Sequence, residues 1–135
     1  MAKANVVRLT EYAPGTGIKQ ATKRTKWLLP PHAPSKPEDL NFVARDELGR
    51  LDWWRVDPPK TDYWHVHQVL GRAYAFELLD LMNNPAAEYP PHILAYITSA
   101  MWRWSAQVGG AASDGIAHGF FEVLSEFLGD GNVKR

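Results

Sequence analysis

The chain has 135 residues, which is the length of a single domain and is enough to bury a core without a disulfide or a structural metal. It contains no cysteine, so disulfide scaffolds, thiol nucleophiles and cysteine-ligated zinc or iron–sulfur centres are excluded. No apolar run reaches the roughly 18 residues of a membrane span, and no signal peptide is recognised. The sequence therefore predicts a cytoplasmic protein that does not enter a membrane.

The net charge of the chain is zero, but acidic and basic residues are unevenly distributed. Residues 1–36 contain seven basic residues against one acidic residue, whereas residues 37–135 contain eight against fourteen. The first segment has few apolar residues and ends in a run of prolines that favours an extended connector. These features predict a basic, Pro-rich N-terminal arm over residues 1–37 and a single helix-rich globular domain over residues 38–135.

Residues 41–57 are compatible with two local structures. The segment Ser35-Lys36-Pro37-Glu38 has the form of a capping box, which would start a helix that ends at Gly49. The alternative is a β-hairpin, with strands over residues 42–45 and 50–56 and with Gly49 in the left-handed position of the turn. We favour the hairpin, because the return segment is rich in aromatic residues and contains a valine.

Three helical segments follow, and with the hairpin they predict a mainly α fold. The expected architecture is a three-helix core that carries a small β-hairpin or extended segment. The first helix should be capped by Thr61 or Asp62 and should end at Met82, before Asn83-Asn84-Pro85. Its apolar residues, Tyr63 and Val69 among them, lie on nearly all sides, which is typical of a central, buried helix.

The second and third helices each have one apolar face. The second is predicted to start at Pro90-Pro91 and to end at Gly109-Gly110. The third is predicted to be capped by Ser113 and to stop at Gly129. The expected core residues of these two helices are Ile93, Ile97, Ala100, Met101, Trp104, Ile116, Phe120, Val123, Leu124 and Phe127.

No recognised catalytic or metal-binding motif is present, and we predict a protein without enzymatic activity, metal or cofactor. On one helix, His65 and His67 would point about 200° apart, so they could not bind a single ion together. Ser113, Asp114 and His118 contain the groups of a catalytic triad but follow no known pattern. A small enzyme without a recognisable motif is the third functional hypothesis.

The segment that ends at Trp27 combines clustered cations with an aromatic side chain. Lysine and arginine could contact phosphates while Trp27 stacks on a base. A solvated tail, or an arm folded back on the acidic body, would explain the same residues, and that body would repel a polyanion. Nucleic-acid association through the arm is therefore the second functional hypothesis. Its candidate residues are Lys19, Lys23, Arg24, Lys26 and Trp27.

The globular domain is rich in tryptophan. Trp53 and Trp54 would point to opposite faces of a strand, and Trp102 lies off the apolar face to which Trp104 belongs. We therefore expect Trp53 or Trp54, with Trp102 or a nearby tyrosine, to form an exposed apolar patch. Exposed tryptophan often anchors a protein interface, so Trp53, Trp54 and Trp102 are the candidate protein-binding residues. A small core filled with aromatic side chains is the alternative.

Several motifs between residues 46 and 128 carry a family resemblance: W-W-R-V-D-P, D-Y-W, G-R-A-Y-A-F-E-L-L, H-I-L-A-Y-I-T-S-A-M and H-G-F-F-E-V-L-S-E. They resemble small uncharacterised proteins of proteobacterial phages, prophages and other mobile elements. The resemblance implies no activity and no functional residues. It implies the context of a compact accessory protein that acts on a host or replication component.

The leading functional hypothesis combines this context with the tryptophans. It is a non-enzymatic protein-interaction module, an accessory or inhibitor protein of a phage or mobile element. Its expected partner is another protein, and the sequence makes no prediction about the oligomeric state.

Overall fold

The computed structural model describes residues 27–130 and confirms the mainly helical fold with a small antiparallel sheet. No helix in this range is long and apolar enough to cross a membrane. The order of elements is a hairpin followed by three helices. They are β1 (Ala44–Arg45), β2 (Leu51–Asp52), α1 (Trp64–Met82), α2 (Ile93–Val108) and α3 (Gly110–Asp130).

The hairpin is confirmed, with strands shorter than predicted. Ala44 pairs with Asp52 and Arg45 with Leu51, in antiparallel register. Gly49 closes the turn with a φ of 81°, a conformation that glycine adopts without the steric cost of a side chain.

The helix that Ser35 and Glu38 would have started does not form. Only a 3₁₀ turn is present, at Pro37–Asp39, and Leu40 then takes an extended conformation. The carboxylate of Asp39 accepts hydrogen bonds from the backbone N–H groups of Ser35 and Lys36, at 3.0 and 3.2 Å, and so closes a local turn. Side chains of this kind offer the backbone an alternative to continued helix.

Helices α1 and α3 run parallel and pack with their backbones in close contact. The indole N–H of Trp64, at the start of α1, donates a hydrogen bond to the carboxylate of Asp114, near the start of α3, with 2.6 Å between the nitrogen and the oxygen. A Cβ atom at Gly71 would overlap the carbonyl oxygen of Ile116, and one at Gly119 would overlap that of Gln68. The absence of side chains at these glycines therefore sets the distance between the two helices.

The predicted cap of α1 is wrong by one or two residues. The N-cap is Tyr63, without a side-chain hydrogen bond. Thr61 instead binds twice: its hydroxyl accepts from the backbone N–H of Tyr63 at 3.2 Å, and its carbonyl oxygen lies 2.9 Å from Nε2 of the buried His67. The predicted end at Met82 is confirmed.

The predicted limits of α2 and α3 also differ from the structure. Helix α2 begins at Ile93, after a turn that starts at Pro90. Gly109 and Gly110 both have positive φ angles and connect the two helices without an intervening loop, so α3 begins at Gly110. Ser113 therefore lies inside the first turn of α3 rather than capping it, and Gly129 lies within the helix rather than beyond it.

An aromatic cluster forms the centre of the core. The ring of Trp54 lies 4.9 Å from that of Phe42 and 5.3 Å from that of Phe120, measured between centroids. Tyr74 and Trp104 complete the cluster, at 5.8 and 6.1 Å from Trp54. Of the predicted core residues, those on α3 from Ile116 to Leu124 are buried, whereas Phe127 and Trp104 are half-buried.

The prediction that α1 is buried on all sides holds only for its C-terminal half. Leu78, Leu79 and Leu81 are buried, but Val66 and Val69 are exposed, as is Tyr63 just before the helix. The C-terminal half is covered because residues 27–41 pack across it, whereas no described residue covers the outer side of the N-terminal half.

Candidate protein-binding surface

The three candidate protein-binding tryptophans occupy different environments. Trp54 is only 3% exposed and belongs to the aromatic core, so it is not part of a surface in this structure. Trp53 is half-buried and lies against the exposed Tyr96 of α2, with 5.5 Å between the ring centroids. Trp102 is 77% exposed.

The division between Trp53 and Trp54 does not arise from strand alternation, because β2 ends at Asp52. The two tryptophans lie in the turn that follows the strand. Its geometry is held by the backbone N–H of Trp54, which bonds the Asp52 carboxylate at 3.2 Å, and by the backbone N–H of Arg55, which bonds the carbonyl oxygen of Phe42 at 2.8 Å. The turn directs the indole of Trp54 into the core and places the indole of Trp53 against Tyr96 of α2.

Trp102 is the most prominent aromatic side chain on α2. It lies about 180° around the helix from the centre of the buried face formed by Ile93, Ile97 and Ala100. Its neighbours one turn or two turns away are small and exposed. We call this surface the α2 outer face: Ala95, Thr98, Ser99, Trp102 and Ala106.

The charge of α2 differs from that of the rest of the described chain. Residues 27–130 contain fourteen acidic residues against seven basic ones, but α2 contains no aspartate or glutamate and one arginine, Arg103. The α2 outer face is therefore an uncharged surface with one large aromatic side chain on an otherwise acidic body. A partner protein can cover such a surface without burying an unpaired carboxylate.

The basic candidates lie mostly outside the described residues. Lys19, Lys23, Arg24 and Lys26 belong to that part, so their binding role stays a prediction. Trp27 is described, and it packs against the body rather than standing free. Its indole N–H donates to the Asp80 carboxylate at 2.9 Å.

The rings of two helices hold Trp27 in that position. Its ring stacks on Phe76 of α1 at 6.2 Å and meets Phe127 of α3 edge-on at 5.7 Å. The ring face of Trp27 that stacks on Phe76 is therefore not available to a base. The charge pattern of the sequence allows an arm folded back on the body, but it does not identify Phe76 and Phe127 as the contacts of Trp27, because both are distant from Trp27 along the chain.

The ionisable groups between α1 and α3 form structural pairs. Arg72 lies 2.8 Å from Glu122 and 3.4 Å from Glu126. Its hydrogen bond holds the pKa of the Glu122 carboxyl below the ordinary value of a glutamate. Burial raises the pKa of the Tyr74 hydroxyl, and the charge of Glu77 adds to that effect. Local packing causes both pKa shifts, and Glu122 and Tyr74 do not line a common cleft.

Two of the residues considered for catalysis, Asp114 and His118, contact Trp64. Asp114 accepts the indole hydrogen bond of Trp64, and the ring of His118 lies 5.0 Å from the ring of Trp64. His65 is exposed while His67 is buried, so they do not face one site. Among residues 27–130, no group of three or more histidine and carboxylate side chains is arranged to hold a metal ion.

An open groove of about 410 Å³ lies beside the docked Trp27. Three carboxylates line it, and each already accepts a hydrogen bond from the protein: Asp39 from Ser35, Glu77 from Asn41 and Asp80 from Trp27. The hydrogen bonds of Glu77 and Asp80 hold residues 27–41 against α1, and that of Asp39 closes a local turn, so the three carboxylates have a structural role in the groove.

Comparison of the chain with protein-family models, with curated proteins and with solved structures gives no match. Support for a function therefore comes from the residues themselves.

Proposed function

We propose that this protein is a non-enzymatic interaction module that binds another protein through the α2 outer face. The observation that carries the proposal is the exposure of Trp102 at the centre of a face without carboxylates. Tryptophan buries a large apolar area with few rotatable bonds, and it is enriched among the residues that dominate binding energy. The small neighbours would allow a partner's backbone or side chains to approach the indole closely.

The surface near Trp53 supports the same proposal. Trp53 and Tyr96 form a half-exposed aromatic pair on the side of α2 next to the outer face. Tyr96 and Trp102 lie about 120° apart around the helix, so a partner that wrapped α2 could contact both. In the context that the family resemblance implies, the partner would be a cytoplasmic host component that the protein assists or inhibits.

The test replaces the central residue and compares it with an exposed residue elsewhere. Trp102→Ala should leave the melting temperature nearly unchanged and weaken partner binding by about 2 kcal/mol or more, as truncation of an interface anchor does. Leu48→Ala is the matched control, because Leu48 is 76% exposed but lies in the hairpin turn.

The measurement is affinity capture from a nuclease-treated proteobacterial lysate, followed by titration of the recovered partner. The wild type and Leu48→Ala should recover the same protein, and Trp102→Ala should fail to recover it. Full recovery by Trp102→Ala would contradict the proposed surface. Recovery that disappears after nuclease treatment would favour the second candidate.

That second candidate is nucleic-acid association through the arm. The observation that favours it is the charge of residues 1–26, which contain six basic residues against one acidic residue. The fourteen acidic residues of the described body weigh against it, because they repel a polyanion.

A further inference from the structure

Arg103 of α2 differs from the other arginines of the described chain. Residues 27–130 contain five arginines, and four of them form ion pairs with carboxylates at 2.6–3.1 Å: Arg45, Arg50, Arg55 and Arg72. Arg103 is exposed, and no carboxylate within residues 27–130 forms an ion pair with it. Its charge therefore has no counter-charge in the described part of the chain.

The position of Arg103 on α2 is more informative than its lack of an ion pair. An exposed ion pair adds little to stability, so an exposed arginine without one is common. Arg103, however, lies about 100° around the helix from Trp102 and about 20° from Tyr96, in the interval between them. Tyr96 in turn forms an aromatic pair with Trp53. The cation is therefore flanked by the two aromatic groups of this surface.

A partner that contacts both aromatic groups must also cover Arg103. The guanidinium lies between Trp102 and Tyr96, so burial of both rings removes water from it. An arginine keeps its charge when it is covered, and a buried charge without a partner is strongly unfavourable. Binding therefore favours a partner that places a hydrogen-bond acceptor opposite Arg103.

A single carboxylate meets this requirement best. A guanidinium presents its N–H groups in a planar fork that matches the two oxygens of a carboxylate. Helix α2 contains no aspartate or glutamate, so no acidic residue of the helix competes for the cation. A phosphate or a run of acidic residues would bring more negative charge towards a body that already has fourteen acidic residues against seven basic ones.

We propose that Arg103 determines the specificity of the α2 outer face by selecting a protein segment in which an aspartate or glutamate lies beside an apolar side chain. The apolar side chain packs on Trp102, and the carboxylate binds the guanidinium of Arg103. This role of Arg103 rests on the proposed function, because it requires that a protein binds the α2 outer face.

A library of random displayed peptides provides the probe. Peptides are selected on the full-length protein at about 0.15 M salt, where attraction between distant charges is screened, and those that also bind Trp102→Ala are removed. The remaining peptides should be enriched in aspartate and glutamate relative to the unselected library. Selection on Arg103→Glu should move the enrichment to lysine and arginine. Arg55→Gln is the matched control and should retain the acidic enrichment, because Arg55 is also exposed but already pairs with Asp52 at 2.9 Å.

Affinity measurements test whether one pair of side chains carries the preference. Arg103→Gln should weaken the binding of an enriched acidic peptide by about tenfold or more, because the peptide carboxylate would be covered without its partner. Replacement of that carboxylate by an amide should weaken binding to the wild type but have little further effect on binding to Arg103→Gln, as in a double-mutant cycle. Circular dichroism of each variant checks that the fold is unchanged.

The outcomes separate the role of Arg103 from the proposed surface. Peptides that depend on Trp102 but lack the acidic enrichment, or that bind Arg103→Gln as tightly as the wild type, would overturn the role of Arg103 and leave the proposed surface intact. Recovery of no peptide that depends on Trp102 would contradict the proposed surface itself and overturn the role of Arg103 with it.

Discussion

Phe120 of α3 belongs to the aromatic cluster at the centre of the core. It is fully buried, and its ring contacts those of Trp54, Phe42 and Phe121. The spacing of apolar residues in α3 predicts its burial. The same spacing places Phe127 on that face, but Phe127 is half-buried, because the helix is near its end and its ring meets Trp27 rather than the aromatic cluster.

Substitution of Phe120 should therefore be far more destabilising than substitution of Phe127. Phe120→Ala should lower the free energy of unfolding by about 3–5 kcal/mol, since it removes buried apolar surface and leaves a cavity among rigid rings. Phe127→Ala should cost clearly less. Urea denaturation of both variants provides the measurement, and a cost below about 1 kcal/mol for Phe120→Ala would contradict the assigned helical face.

At the scale of elements, the contact between α1 and α3 depends on glycine. Gly71, Gly115 and Gly119 lie where the two backbones meet, and a Cβ at Gly115 would lie 2.7 Å from the Cβ of His67. The sequence contains these glycines, but a glycine within a helical pattern is equally typical of a weak helix or a helix end. Only the pairing of the two helices distinguishes the packing role.

Alanine substitution separates the two roles of glycine. Gly119→Ala should destabilise the protein by about 1–3 kcal/mol or more, because its methyl group would overlap the backbone of Gln68 and force the helices apart. Gly129→Ala is the control, since a Cβ there meets open space, and alanine in a helix is favoured by about 0.5–1 kcal/mol. In both thermal and urea unfolding, Gly119→Ala should be less stable than the wild type and Gly129→Ala should be more stable. Equal stabilities of the two variants would contradict the glycine contact.

At the scale of the whole molecule, the charge is divided between an arm and a body. Residues 1–26 are basic, and the body carries twice as many acidic as basic residues. The acidic body attracts the cations of residues 1–26, so a nucleic acid must compete with the body for them.

Replacement of Lys19, Lys23, Arg24 and Lys26 by glutamine measures the nucleic-acid use directly. If the arm binds DNA or RNA, the quadruple variant should bind more weakly, and the log–log slope of affinity against salt should fall by about 0.7–0.9 for each phosphate that the variant no longer neutralises. Fluorescence anisotropy at several salt concentrations provides both values. Undetectable binding of the wild type at low salt would exclude this function. Replacement of Arg45, Arg50 and Arg55, in and beside the hairpin, by glutamine is the control for a general decrease in positive charge.

Local patterns in the sequence determined the three helices, the end of α1 at Met82 and the core face of α3, because periodicity and turn chemistry depend on neighbouring residues. For residues 41–57 they favoured the hairpin but left a helix open. Helical periodicity also placed Trp102 off the apolar face, but only the tertiary structure decided between Trp53 and Trp54. Trp54 enters the core because of distant partners such as Phe42 and Phe120, which its local sequence does not reveal. The position of Trp27 on α1 and α3 likewise follows from contacts between residues far apart in the chain.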